Sequence, residues 1–185
     1  MKIGAMTASF RTPFAKSLEA AAALGADGVQ IWATSGSGEL DPAATTDDDI
    51  RELLATLKRL DLEISALCGD LGRGFTRPDH LAEDIATTKR MMDLAERLGV
   101  TVMTSHIGVI PEDPAAPEYR TAAEALEDIG AHGDGIGVVF ASETGPESGA
   151  ALGAFLRGLR TKSIKVNYDP ANLVMNGFDP VEGVY

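Results

Sequence analysis

Residues 47–70 read Asp47-Asp48-Asp49-Ile50-Arg51-Glu52-Leu53-Leu54-Ala55-Thr56-Leu57-Lys58-Arg59-Leu60-Asp61-Leu62-Glu63-Ile64-Ser65-Ala66-Leu67-Cys68-Gly69-Asp70. Ile50, Leu53, Leu54, Leu57 and Leu60 recur at helical spacing, which predicts a helix over 47–60. Three aspartates at its start suit the positive end of the helix dipole. A short apolar run at 62–67 predicts a strand, and that strand closes on the polar residues Cys68-Gly69-Asp70.

Working outward in both directions, the same pair of elements returns. Further strand-like runs lie at 3–6, 28–32, 100–105, 137–142 and 163–168, and a second clear helical period covers 85–98. Leu24-Gly25 and Leu98-Gly99 read as helix ends with a capping glycine. Strand starts at 3, 28, 62, 100, 137 and 163–164 leave room each time for one strand, one helix and two loops. Such spacing predicts successive βα units and a parallel sheet. Right-handed crossovers then leave an open doubly wound sheet or a closed (β/α)8 barrel. No glycine-rich phosphate fingerprint follows the first strand, which disfavours a dinucleotide-binding sheet. No linker divides the chain, and the polar stretches 41–49 and 111–117 read as loops inside single units, so residues 1–185 are expected to form one domain.

The chain has 185 residues, 44% hydrophobic and 24% charged, the profile of an ordinary globular protein. Sixteen Lys and Arg against 28 Asp and Glu give a net charge of −12. That balance opposes binding to nucleic acid or to an anionic membrane surface, both of which need clustered cations. One cysteine, Cys68, excludes an internal disulfide framework and fits a reducing compartment. No apolar run approaches the roughly 20 residues of a membrane span, and Met1-Lys2-Ile3-Gly4-Ala5 does not open a signal peptide. A cytoplasmic location is the expectation.

In parallel α/β folds, reactive groups gather at the C-terminal ends of the strands. Here strand three ends in Cys68-Gly69-Asp70, strand four in His106, strand five in Glu143 and strand six in Asp169. Side chains of adjacent strands at one mouth could share a cation between Glu143 and Asp169. Period-two alternation places Lys165 and Asn167 on the face of Asp169, and Thr104 on that of His106. Each residue also has a structural reading. Glu143 and Asp169 are good helix caps, and Asp169-Pro170 is a good helix start. His106 could be a satisfied loop histidine, Cys68 a small buried apolar residue, and Phe10 and Trp32 closures of the core. The pair Met91-Met92 reads as packing. The joint register of His106, Glu143 and Asp169 favours a site.

Four segments carry a family resemblance: 65–72 (Ser-Ala-Leu-Cys-Gly-Asp-Leu-Gly), 104–113 (Thr-Ser-His-Ile-Gly-Val-Ile-Pro-Glu-Asp), 143–147 (Glu-Thr-Gly-Pro-Glu) and 167–173 (Asn-Tyr-Asp-Pro-Ala-Asn-Leu). With these in order along the chain, the sequence resembles the sugar phosphate isomerase/epimerase family of xylose isomerase-like TIM barrels, which includes ketose 3-epimerases and inosose dehydratases. The resemblance implies a divalent metal ion (Mn²⁺, Mg²⁺, Co²⁺ or Zn²⁺) held by Glu, Asp, His and Glu from strands five to eight. Glu143 and Asp169 match the first two positions. It also implies Glu143 as proton-transferring base, His106 as a contact to a substrate oxygen, and Asn172 where some relatives carry a substrate-binding histidine. Phe10 and Trp32 would wall the pocket, with Cys68 and Lys165 as further lining residues. The implied activity is metal-dependent isomerisation or epimerisation of a small ketose or sugar phosphate through an enediolate. The alternatives are an inosose-type dehydratase, or a sugar-binding fragment without catalysis.

A full barrel has eight units and about 250 residues; six strands are legible here. The chain is therefore expected to be an incomplete barrel, inactive alone, with 179–185 opening the sixth helix. Its exposed edge strands would invite self-association into a homo-oligomer.

Overall fold

A computed structural model describes residues 1–34, 36 and 39–184. The elements are β1 (Gly4–Met6), a 3₁₀ turn (Thr7–Phe10), α1 (Phe14–Ala23), β2 (Gly28–Trp32), α2 (Asp47–Leu60), β3 (Glu63–Cys68), α3 (Leu81–Arg97), β4 (Val102–Ser105), α4 (Pro117–Ile136), β5 (Val139–Glu143), α5 (Gly149–Arg157), β6 (Ile164–Asn167), α6 (Pro170–Met175) and a 3₁₀ turn (Glu182–Val184). The strands form one six-stranded sheet in the order β1-β2-β3-β4-β5-β6. Pairing is parallel, with Gly4 opposite Gly28, Val29 opposite Ile64 and Glu143 opposite Asn167. A sequential order has no switch point, so the doubly wound alternative is excluded. Among the described residues, no helix is long and apolar enough to cross a membrane.

The chain packs as two compact units, residues 1–69 with 90–103 and residues 70–89 with 104–185. In the first unit, Thr46 and Asp49 start α2 with a capping box. The Asp49 amide donates to Thr46 Oγ1 at 3.2 Å and the Thr46 amide donates to Asp49 Oδ2 at 2.8 Å. The apolar stripe predicted from the sequence is buried at Ile50, Leu53 and Leu57. Cys68, Met91 and Met92 are buried. Gly28 is required by strand spacing: a Cβ there would lie 2.8 Å from the Glu63 carbonyl oxygen.

The second unit is built on β5 and β6. Phe140 meets Phe75 edge-on, with ring centroids 6.0 Å apart, and Tyr119 meets Phe155 in the same way at 4.9 Å. Asp84, buried at the start of α3, is paired with the Arg73 guanidinium. The segment 73–75 lies against 107–108: the Phe75 amide donates to the Ile107 carbonyl at 2.8 Å. A Cβ on Gly74 would fall 2.5 Å from Gly108 backbone atoms, and Gly74 has φ +65. At the end of the chain, the helix after β6 is the short α6, and residues 182–184 form a single 3₁₀ turn. The helix expected to open at 179–185 is thus one turn long as far as 184, and Tyr185 lies outside the described residues.

Candidate active site

Glu143 is the last residue of β5, and its neighbour across the sheet is Asn167 of β6. The cross-strand pairing puts the two side chains on one face. Asn167 Nδ2 reaches Glu143 Oε2 at 3.4 Å. Asn172, in the first turns of α6, donates to Glu143 Oε1 at 3.0 Å and to the Thr144 carbonyl at 3.0 Å. Asp169 is the N-cap of α6, its Oδ1 accepting from the Ala171 amide at 2.8 Å. Thr144 joins the two strand ends. Its Oγ1 donates to the Asp169 carbonyl at 2.9 Å and accepts from the Asp169 amide at 2.7 Å.

His106 follows β4. Its Nδ1 is 2.8 Å from Asp70 Oδ2, and its Nε2 is 3.6 Å from Glu143 Oε1. Asp70 is itself held through Oδ1, which accepts from the Gly72 amide at 2.8 Å. Beyond Glu143, the same loop carries Glu147, which is 7% exposed and accepts from the Ile110 amide at 3.4 Å.

The charges follow from these contacts. Burial pushes the Glu143 carboxyl above its ordinary value, and the Asp169 charge adds to this. His106, Asn172 and Asn167 work in the opposite direction. The Asp70 hydrogen bond raises the His106 imidazole against an opposing burial effect, and the Glu143, Asp70 and Asp169 charges reinforce it. Burial alone would raise Asp70, but hydrogen bonds from His106 and Gly72 and the His106 charge bring it below the ordinary carboxylate value. Glu147 is raised, chiefly by burial.

Of the residues singled out from the sequence, His106, Glu143, Asp169, Asn172 and Lys165 belong to this unit. A hydrogen bond ties Asn172 to Glu143, and His106 stands at ion-pair distance from it. Asp169 serves as the helix cap that its sequence allowed, with one oxygen on α6 and its charge felt at Glu143 and His106. Lys165 pairs across the sheet with Ala141, one step back along the face of Asn167, and is exposed. Phe10, Trp32 and Cys68 belong to the first unit, with Phe10 and Trp32 half-buried and Cys68 buried. Sequence reasoning missed Asp70 and Glu147 as neighbours of the site. Asp70 stood at a strand end like the others. Glu147, four residues beyond Glu143, gave no signal of its burial.

Glu143 and Asp169 are hard oxygen donors suited to a divalent cation, which takes six or more such ligands. Among the described residues, no three His, Cys, Asp or Glu side chains are grouped to hold an ion.

A sequential parallel α/β sheet with helices between its strands is the architecture of part of a (β/α)8 barrel. The chain belongs to the xylose isomerase-like TIM barrel family, whose model matches residues 18–184. It superposes on a xylose isomerase domain protein from Planctomyces limnophilus with a TM-score of 0.83 and 23% identity, covering 99% of this chain and 68% of that one. A xylose isomerase-like TIM barrel protein from Mycobacterium smegmatis, solved in complex with magnesium, gives 0.72 and 21%, covering 94% and 66%. A D-psicose 3-epimerase solved in the presence of D-fructose gives 0.76 and 15%, covering 96% and 66%. A probable 3-DHS dehydratase from Bacillus anthracis is also similar in fold. The chain spans about two thirds of the length of these structures. None of the curated proteins matches its sequence significantly.

Proposed function

We propose that this chain supplies the Glu143 side of the active site of a metal-dependent isomerase or epimerase acting on a small ketose sugar or sugar phosphate. The observation that carries the reading is Glu143 itself. It is a half-buried carboxylate with a raised pKa, aimed by two amides and facing an imidazole at the end of a barrel strand. A base that removes a proton next to a carbonyl works best when its pKa is lifted toward the working pH, and burial does this here.

In this reading Glu143 takes the C–H proton, with Asn172 and Asn167 holding its two oxygens in place. His106 meets a substrate oxygen. Glu143 and Asp169 are the residues that would hold the cation; a similar protein was solved in complex with magnesium. When bound, such an ion polarises the carbonyl and lowers the cost of forming an enediolate. Two carboxylates leave most of a cation's ligand positions to water, so this chain by itself should bind the ion weakly and show only background turnover.

The test is incorporation of solvent deuterium at the carbon beside the carbonyl. It uses a panel of ketoses and ketose phosphates with Mn²⁺, Mg²⁺, Co²⁺ or Zn²⁺, in a protein carrying this chain at the length of the similar structures. Glu143→Gln should lose exchange by about 10²–10⁴-fold, the usual contribution of a general base. Near-unchanged exchange in that variant at saturating metal would refute the assignment. Loss of water from the substrate after proton exchange would replace isomerisation by dehydration.

A further inference from the structure

We propose that Asp70 is a positioning residue that fixes the His106 imidazole in its Nδ1–H tautomer, making Nε2 the nitrogen that meets the substrate oxygen. The proposal rests on the function above for its meaning, and on geometry for its content. The two residues lie at the ends of successive strands, 36 positions apart, and Nδ1 is 2.8 Å from Oδ2. An ionised carboxylate oxygen only accepts hydrogen bonds, so the proton at this contact sits on Nδ1.

Asp70 cannot turn away easily, because its other oxygen is held by the Gly72 amide at 2.8 Å in a turn where Gly72 takes φ +72. The Asp70 side chain is 16% exposed and that of His106 44% exposed, so the anchoring carboxylate is largely covered while the imidazole is partly open. Nε2 lies 3.6 Å from Glu143 Oε1, beyond hydrogen-bonding distance. Among the described residues, it is thus left with an electrostatic neighbour in the proposed base but no hydrogen-bond partner. In the neutral ring, Nε2 then carries the lone pair and accepts from a hydroxyl; in the charged ring it donates to an oxygen. A ligand with a hydroxyl next to its carbonyl presents both groups to this pair. Without Asp70, the ring would be free to rotate and to move its proton to Nε2, facing Glu143 with the wrong atom in the neutral form.

The tautomer is read directly by long-range ¹H–¹⁵N correlation on the 185-residue chain with ¹⁵N-labelled histidine. There are three histidines, His80, His106 and His132, and His106→Gln assigns the signals. Above the pH at which the ring loses its charge, the expected His106 pattern has a protonated, pyrrole-like Nδ1 and an acceptor-type Nε2. Asp70→Ala should lose that pattern, and Asp70→Asn, whose carbonyl oxygen still accepts, should keep it. A wild-type His106 with its proton on Nε2 overturns the proposal. So does an Asp70→Ala protein that keeps the Nδ1–H pattern, and if that variant fails to fold the wild-type spectrum alone decides. The spectrum needs no substrate. A negative deuterium-exchange result with the Nδ1–H tautomer present therefore removes the proposed function and leaves this assignment standing.

Discussion

Replacing Glu147 by glutamine removes one buried charge beside the site while keeping the shape of the side chain and an oxygen for the Ile110 amide. The wild-type carboxylate is 7% exposed, and its hydrogen bond from Ile110 is long at 3.4 Å. Burying an ionised carboxylate without a close cationic partner costs several kcal/mol. A hydrogen bond to a charged group returns about 1.5–3 kcal/mol at good geometry and less at this distance, and the Glu147 backbone amide adds a second, smaller contribution. The His106 charge offsets a further part. The remaining imbalance, about 1–2 kcal/mol, should appear as added stability of Glu147→Gln at neutral pH, or roughly 2–8 °C in Tm for a chain of this size.

The pH dependence follows from the same burial. The folded-state pKa is raised above the 4.5 of the free side chain, so the folded protein holds this proton more tightly than the unfolded one. The corresponding stability is fully present below 4.5 and is lost as the pH rises through the folded-state value. Wild type and variant should therefore melt together at about pH 4 and separate toward neutral pH, with the variant higher. Circular-dichroism melts across that range read the difference directly. A variant less stable than wild type at neutral pH would refute the reasoning, because it would mean that the Glu147 charge is matched rather than stranded.

Two further outcomes test the frame around the site. Gly74→Ala should destabilise the protein by about 2 kcal/mol or more, measured by urea melts, since its Cβ would strike the Gly108 backbone and its φ is +65; stability within about 0.5 kcal/mol of wild type would show that 73–75 can move off 107–108. Asp169→Asn should leave α6 capped, as asparagine caps about as well as aspartate, yet weaken Mn²⁺ binding by several-fold in a titration followed by electron paramagnetic resonance; unchanged affinity would remove Asp169 from the cation site.

The sequence was most informative where local chemistry decides structure. The bounds of α2 follow from three aspartates and an apolar stripe, all within 14 residues, and the structure has the helix at Asp47–Leu60. The start of α3 was less legible. The regular apolar period begins at Ile85, whereas the helix begins at Leu81, a turn earlier, on a polar stretch with Glu83 and Asp84. Asp84 is drawn inward by Arg73, a partner eleven residues away that no periodicity reveals. The site divides in the same way. Strand ends named His106, Glu143 and Asp169, because alternation and spacing are local. Which partner each side chain takes was hidden, because the Asp70–His106 and Asn172–Glu143 contacts join residues 36 and 29 apart. Asp169 shows that two readings of one residue need not compete: a helix cap uses one carboxylate oxygen and leaves its charge in the site.

The double hydrogen bond between Thr144 and Asp169 has a mechanical consequence. A third bond, from the Thr144 amide to the Asn167 carbonyl at 3.0 Å, completes a clasp that leaves the residues after Glu143 and before Pro170 little freedom to shift separately. The ends of β5 and β6 then behave as a single rigid jaw. Any closure around a ligand would have to come from segments outside that clasp, and the spacing between Glu143 and Asp169 would be set before a ligand arrives. Under the proposed function, reorganisation during a reaction would be small on this side, because these bonds already hold the backbone on which both carboxylates are carried.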